Sequence, residues 1–333
     1  MGSIKIIKPG LFTTVQDSGR MGFQRYGIPV AGAMDDFAFR VANILVGNNE
    51  NAAVLEATFM GPSIEIGFDG FIAITGANMS PKLNEKSVHM WRSIEVHTGD
   101  QLTFSGSSEG LRSYIAFGGG LGVPEIMKSR STYVRGSLGG FKGRKLMEGD
   151  EIPVDSSKSA AKPGRYISPA YIPRYSKDNV VRVVLGPQDD HFSPEAIDTF
   201  LNSEYKITSE ADRMGYRLDG PKLTHVKGPD IISDGIVFGS VQVPGHGSPI
   251  VMMADRQTTG GYTKIATVIW ADLPIIAQMG PGDTVRFEKV SIEESQELLA
   301  NYEEVLKDIK YRVENSYIVQ EKDKIFNVTI KKL

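Results

Sequence analysis

Apolar residues along the chain fall in short runs broken by glycine and proline, a pattern that predicts strands more than helices. Strands are expected at Ile4–Ile7, Leu55–Phe59, Ser63–Ile66, Phe71–Thr75, Trp91–Val96, Gln101–Phe104 and Arg112–Phe117. A second series covers Val180–Leu185, Ile250–Met253, Lys264–Trp270, Ile275–Gln278 and Thr284–Phe287, with a last short strand at Lys324–Lys332. Pro9-Gly10, Gly61-Pro62 and Thr98-Gly99-Asp100 are turn sequences between them. Three helices interrupt the pattern. Asp35 caps one reaching about Val46, with Phe37, Val41, Ile44 and Leu45 at helical spacing and a stop at Gly47-Asn48. Ser193-Pro194-Glu195 opens another that runs to about Asn202. Ser291 and Glu294 form a capping box ahead of a stripe of Leu298, Tyr302, Val305, Leu306 and Ile309, expected to pack on its own domain.

The same turn-plus-strand unit recurs in both halves: Thr98-Gly99-Asp100 before QLTF, Glu148-Gly149-Asp150 before EIPV, and Pro281-Gly282-Asp283 before TVRF. Together with 333 residues, 36 glycines and 17 prolines, this points to duplicated β-domains of ordinary size. Asp155–Pro173, rich in Ser, Ala, Lys and Pro, is the expected linker. The expected division is residues 1–160, 175–290, and a helix and tail over 291–333. With 37 basic and 40 acidic residues the formal charge is −3, so no broad field draws nucleic acid or anionic lipid. Cysteine is absent, which excludes disulfides, thiolate metal sites and cysteine nucleophiles. No apolar run is long enough for a membrane helix, and a cytoplasmic location is the expectation.

Candidate chemistry gathers in two polar loops. After the apolar Ile250–Met253 comes Asp255-Arg256-Gln257-Thr258-Thr259-Gly260-Gly261-Tyr262, in which every residue but the two glycines carries a side-chain hydrogen-bonding group. The loop reads either as a polar turn or as the wall of a site for a small polar substrate, with paired glycines that bring backbone N–H groups close. Val15-Gln16-Asp17-Ser18-Gly19-Arg20 repeats that chemistry, and again a plain Asp-Ser-Gly turn is the competing reading. Gly118-Gly119-Gly120 invites a dinucleotide loop, but Pro124 stands where the following helix should begin. Arg130, Arg135, Lys142, Arg144 and Lys145 make a basic segment that either holds an anion or is simply solvated. The five histidines form no zinc pattern, and only His246 lies beside the central loop. No Walker loop or nucleophile elbow is present.

These stretches carry a resemblance. Pro9–Asp35, RSYIAFGGG at 112–120, STYVRGSLGGFKGRKLMEGD at 131–150 and QVPGHGSPIVMMADRQTTGGY at 242–262 are similar, in the same order, to the signatures of the allophanate hydrolase subunit 2 or KipA family, also called the biotin-dependent carboxyltransferase C/D family. The resemblance runs to about residue 290. It implies a mostly β fold of two cyclophilin-like barrels. It also implies a KipI-like partner and, with a LamB/YcsF-like subunit, a role as the C subunit of an ATP-dependent 5-oxoprolinase that opens 5-oxoproline to L-glutamate. Two other activities stay open: transfer of a carboxyl group to a urea-like amide from carboxybiotin carried on another protein, and regulatory binding of a KipI-like kinase inhibitor. By resemblance the site comprises Gln16, Asp17, Arg20, Arg112, Tyr114, Arg135, Asp255, Arg256, Gln257, Thr258 and Tyr262. The arginines are expected to hold carboxylate or phosphate, Gln257 and Thr258 the amide, and Asp17 or Asp255 to move a proton. On that placement Asp255→Ala or Arg256→Ala removes turnover.

Overall fold

A computed structural model describes residues 2–321 and 324–329. The chain divides into two compact units. One takes the chain through Gly19, then Asp36–Arg174, then the chain from Glu303; the other takes Arg20–Asp35 and Tyr175–Tyr302.

The first unit carries β1 (Gly2–Lys8), β2 (Phe12–Gln16), β3 (Val54–Thr58), β4 (Ser63–Ile66), β5 (Gly70–Asn78), β6 (Lys82–Leu83), β7 (Lys86–Ser87), β8 (Ser93–Val96), β9 (Gln101–Thr103), β10 (Glu109–Phe117) and β11 (Glu151–Val154). They form a six-stranded sheet, β11-β1-β4-β9-β6-β7, and a five-stranded sheet, β2-β3-β10-β5-β8. Alternation along the strands turns Ile4, Ile6, Val15, Leu55, Ile72, Ile74, Ile115 and Phe117 into one buried core. Helix α1 (Asp36–Leu45) lies in this unit, and the Thr75 hydroxyl of β5 donates to the Ala38 carbonyl at 2.7 Å.

The expected linker Asp155–Pro173 is a folded part of the first unit. The Ser93 N–H of β8 donates to the Arg165 carbonyl at 2.8 Å, and Arg165 and Ile167 are buried. This segment also explains the triple glycine. A Cβ on Gly119, at φ +91°, would stand 1.9 Å from the Asp155 carbonyl oxygen, and one on Gly118 2.4 Å from the Ser159 hydroxyl. The glycines admit the chain's own backbone.

The second unit holds β12 (Asp178–Leu185), β13 (Tyr205–Ile207), β14 (Gly215–Asp219), β15 (Asp230–Gly235), β16 (Ser240–Val243), β17 (Ile250–Met252), β18 (Thr259–Val268) and β19 (Thr284–Lys289). Seven of them close into a barrel in the order β12-β19-β13-β14-β17-β16-β18, shut by β18 pairing back onto β12, with β15 added to β18. The β12–β19 pair is parallel and the others are antiparallel. Valines and isoleucines of alternate positions fill the interior with Tyr205, Phe200 and Phe287. Helix α2 (Pro194–Asn202) begins as its sequence signals, with the Ser193 hydroxyl accepting the Ala196 N–H at 3.2 Å. The long glycine-rich segment Arg20–Asp35 belongs here. Met34 joins the barrel core, and the Asp35 carboxylate accepts from the Gln278 amide at 2.7 Å.

Three expectations need correction. Ile275–Gln278 is not a strand: Leu273–Ala277 forms a short helix, α3, started by Pro274 in its first turn. A four-residue apolar run has too little length to show its period. Lys264–Trp270 is the second part of a longer strand that starts at Thr259 and stops at Val268. In α4 (Ile292–Glu314) the buried stripe is Leu306, Ile309 and Val313, while Val305 is 37% exposed because it sits one residue, about 100°, off that line. The capping box forms as expected: Glu294 N–H to the Ser291 hydroxyl at 3.1 Å, and Ser291 N–H to the Glu294 carboxylate at 2.8 Å. Strands β20 (Ser316–Glu321) and β21 (Lys324–Thr329) pair as a hairpin; the expected strand positions beyond 329 lie outside the described residues. Among the described residues no helix is long and apolar enough to cross a membrane.

Candidate functional site

The expected site residues fall into a group in each unit. In the first, antiparallel register puts Thr14 of β2 opposite Glu56 of β3, and Glu56 opposite Tyr114 of β10, which lies opposite Thr75 of β5. Gln16 and Arg112 are two residues from these positions on their strands, so they share the face. This face is turned away from the apolar core, yet Thr14, Gln16, Glu56, Arg112 and Tyr114 are all at most 3% exposed. It is a buried polar layer. The Tyr114 hydroxyl donates to Glu56 Oε2 at 2.9 Å, and Arg112 Nε stands 3.9 Å from Glu56 Oε1. The Gln16 amide donates to the Thr14 hydroxyl at 3.0 Å and the Thr132 carbonyl at 3.1 Å.

Asp17 follows directly. Its carboxylate accepts the Gly19 N–H at 2.9 Å, the Ser129 hydroxyl at 2.7 Å, the Arg130 N–H at 2.5 Å and the Ser131 hydroxyl. The first bond is the turn that Asp-Ser-Gly predicts. The other three hold the loop at 129–131 against it. Four donors fill the acceptor capacity of one carboxylate. Arg135 is exposed on a 3₁₀ turn, Val134–Gly136, just beyond that loop.

In the second unit, Arg20 is fully buried and its N–H donates to the Val30 carbonyl at 2.8 Å. The central loop is anchored by Asp255. Both its oxygens receive Arg213, from Nη2 at 2.9 Å and Nε at 3.1 Å, and the pair is buried. Arg213 Nη2 also donates to the Gly32 carbonyl at 2.6 Å. Arg256 is 7% exposed; its Nε donates to the Ile236 carbonyl at 3.2 Å and its Nη1 to the Met253 carbonyl at 3.3 Å. Burial pushes its pKa down to about 10, with the Asp255 charge opposing the shift. Gln257 and Thr258 are half-buried, and their side chains make no hydrogen bond among the described residues. Tyr262 is 43% exposed on β18, where its carbonyl accepts from Gln242 at 3.4 Å. His246 is exposed in its turn.

The sequence reading missed Glu56, Arg213 and a polar group beside the paired glycines. Lys264 lies two residues after Tyr262 and pairs with Gln242 of β16. An irregularity in the β16–β18 register lets both Ile265 and Ala266 reach the core while Lys264 stays on the other face. Lys264 is 3% exposed, and its Nζ donates to Asp234 Oδ2 at 2.8 Å. That lysine first, and the Gly235 N–H second, hold the Asp234 pKa below the usual carboxylate range. The available signals were an acid inside the otherwise apolar VLEAT and a lysine opening the β-branched run KIATV. Among the described residues no cluster of acids and histidines could hold a metal ion.

The family model described as carboxyltransferase domain, subdomain A and B, matches residues 26–289. The chain is similar to the C subunit of the 5-oxoprolinase of Escherichia coli, 37% identical over 312 residues that cover 94% of this chain and 99% of that one. It is likewise 37% identical, over 297 residues, to the C subunit of the Haemophilus influenzae 5-oxoprolinase, covering 89% and 94%. Its fold is similar to the crystal structure of Kluyveromyces lactis urea carboxylase, with a TM-score of 0.87 and 30% identity over 97% of this chain. There it spans only 30% of the larger enzyme.

Proposed function

This chain belongs to the family of the carboxyltransferase domain, subdomain A and B, and we propose that within it the chain is the C subunit of an ATP-dependent 5-oxoprolinase, working with a KipI-like and a LamB/YcsF-like subunit to open 5-oxoproline to L-glutamate. The observation that carries this reading is the match over 99% of the length of an E. coli subunit of that name. The match to urea carboxylase covers one part of a larger enzyme and supports the second reading, carboxyl transfer to a urea-like amide.

Within this proposal the residues divide by how fully they are engaged. Asp17 and Asp255 have their oxygens bonded to neighbours, so we assign both to positioning: one fixes the 129–131 loop, the other the central loop. Gln257 and Thr258 keep donors and acceptors available for a lactam C=O and N–H. Lys264, buried beside a half-exposed Asp234, supplies the charge for a carboxylate or for proton transfer. Glu56, Arg112 and Tyr114 hold one another in the first unit. ATP finds no phosphate cradle at the triple glycine, which is filled by the backbone at Asp155. In this reading ATP is bound across the complex rather than at that loop. Biotin, in the second reading, comes in trans.

The test is glutamate release from 5-oxoproline and ATP by the chain co-purified with both partners. Glutamate that appears only with all three proteins, and falls at least tenfold with Lys264→Met in an assembled complex, is the expected result. An assembled complex that releases none refutes the oxoprolinase reading and moves the assignment to carboxyl transfer.

A further inference from the structure

Beside the central loop the barrel unit contains a cavity of about 330 Å³, at the small end of the range for ligand sites. Its walls are mostly apolar, with Val268 and Leu273 among them and two aromatic residues, Phe238 and Trp270, set edge to face with ring centroids 6.1 Å apart. The one charged group that lines it is Arg256. Its guanidinium lies over the Phe238 ring, 5.5 Å from the centroid, and donates to two backbone carbonyls. The adjacent Asp255 attracts it through space, but both Asp255 oxygens bind Arg213 and make no ion pair with Arg256. Among the described residues no carboxylate forms an ion pair with Arg256. A buried cation without a counter-ion is costly unless something anionic joins it.

We infer that this cavity is a binding site for a monocarboxylate with an aliphatic or aromatic body. A single negative charge matches the single cation, and a carboxylate can accept from the in-plane N–H edge of the guanidinium. A phosphate would bring a second charge into an apolar space with nothing to meet it. The apolar walls suit a hydrocarbon body; the hydroxyls of Thr267 and Ser295 are the remaining polar groups on the lining. A small lactam leaves these walls unused, so the inference stands apart from the 5-oxoproline reading and survives its failure.

The full chain carries two tryptophans, Trp91 in the first unit and Trp270 on the cavity wall, so ligand entry is read by fluorescence. The probes are 4-phenylbutyrate and its neutral amide. We expect a saturable change with the acid, and affinity for the amide weaker by about tenfold or more, the scale of one charge-assisted contact. Arg256→Met should abolish that preference. Ser295→Phe, which fills the cavity from its wall, should remove binding of both probes and covers the case in which the Arg256 variant does not fold. No saturable change with the acid up to roughly 10 mM, equal affinity for acid and amide in the wild-type chain, or unaltered binding in Ser295→Phe would each overturn the inference.

Discussion

Replacing Asp255 by alanine tests whether the acid of the central loop serves the chemistry or the fold. In the wild-type chain its two oxygens take two hydrogen bonds from Arg213, and both side chains are buried. Removing the carboxylate takes two charge-assisted hydrogen bonds from a buried guanidinium that still donates from Nη2 to the Gly32 carbonyl. Breaking one side of a buried pair costs about 3–5 kcal/mol, mostly from the charge left behind. In a unit of this size each kcal/mol moves the melting point by about 2–4 °C, so a drop on the order of 10 °C is expected. Arg213→Gln alone should also destabilise. The double variant Arg213→Gln, Asp255→Asn should recover about 2 kcal/mol relative to the sum of its single changes, because no charge is then left unpaired. Thermal and urea unfolding followed by circular dichroism measure all of this on the isolated chain. A stable Asp255→Ala protein, melting within about 2 °C of wild type and yet inactive in the assembled complex, would refute the positioning role and return Asp255 to proton transfer.

Three further outcomes follow from other parts of the molecule. Gly119→Ala introduces a Cβ 1.9 Å from the Asp155 carbonyl at a φ of +91°. It should destabilise the first unit by roughly 2 kcal/mol or more and open the 155–167 segment to limited proteolysis, and an unchanged cleavage pattern would contradict the packing account. His225 Nε2 sits 3.1 Å from the Val243 carbonyl and 3.0 Å from the Thr263 hydroxyl. Burial first, with His191 adding to it, lowers its pKa against the opposing Val243 carbonyl. Between that lowered value and about 6.5 the unfolded chain binds more proton than the folded one, so stability falls as pH drops through this window. His225→Gln should flatten that part of the acid limb in urea unfolding, and an unaltered limb would assign it to other groups. Ser291→Ala removes the hydroxyl that accepts the Glu294 N–H. It should cost about 1 kcal/mol and speed amide exchange in the first turn of α4, with no change in exchange around Leu306.

What the sequence made legible was local. Alternation and turn residues located the strands, and Ser193 and Ser291 announced two helix starts that form as written. What it hid depends on register and on partners far along the chain. The barrel is closed by a parallel pairing of β12 with β19 and a return of β18 to β12, and no local pattern in either half encodes those neighbours. The polar face of the first unit appears only when Thr14, Glu56, Tyr114 and Thr75 are set side by side across four strands. The two acids of the polar loops carry the same lesson. Asp17 meets three of its four donors more than a hundred residues later, and Asp255 meets Arg213 forty-two residues earlier. A loop dense in hydrogen-bonding side chains is thus consistent with two physical tasks, holding itself in place and holding a ligand, and composition does not separate them. Counting occupied donors and acceptors does. By that count Gln257 and Thr258 have their side chains available, while Lys264 and Arg256 have placed only some of their N–H groups. Lys264 and its partner Asp234, both outside the two polar loops, gave no warning from the loops themselves.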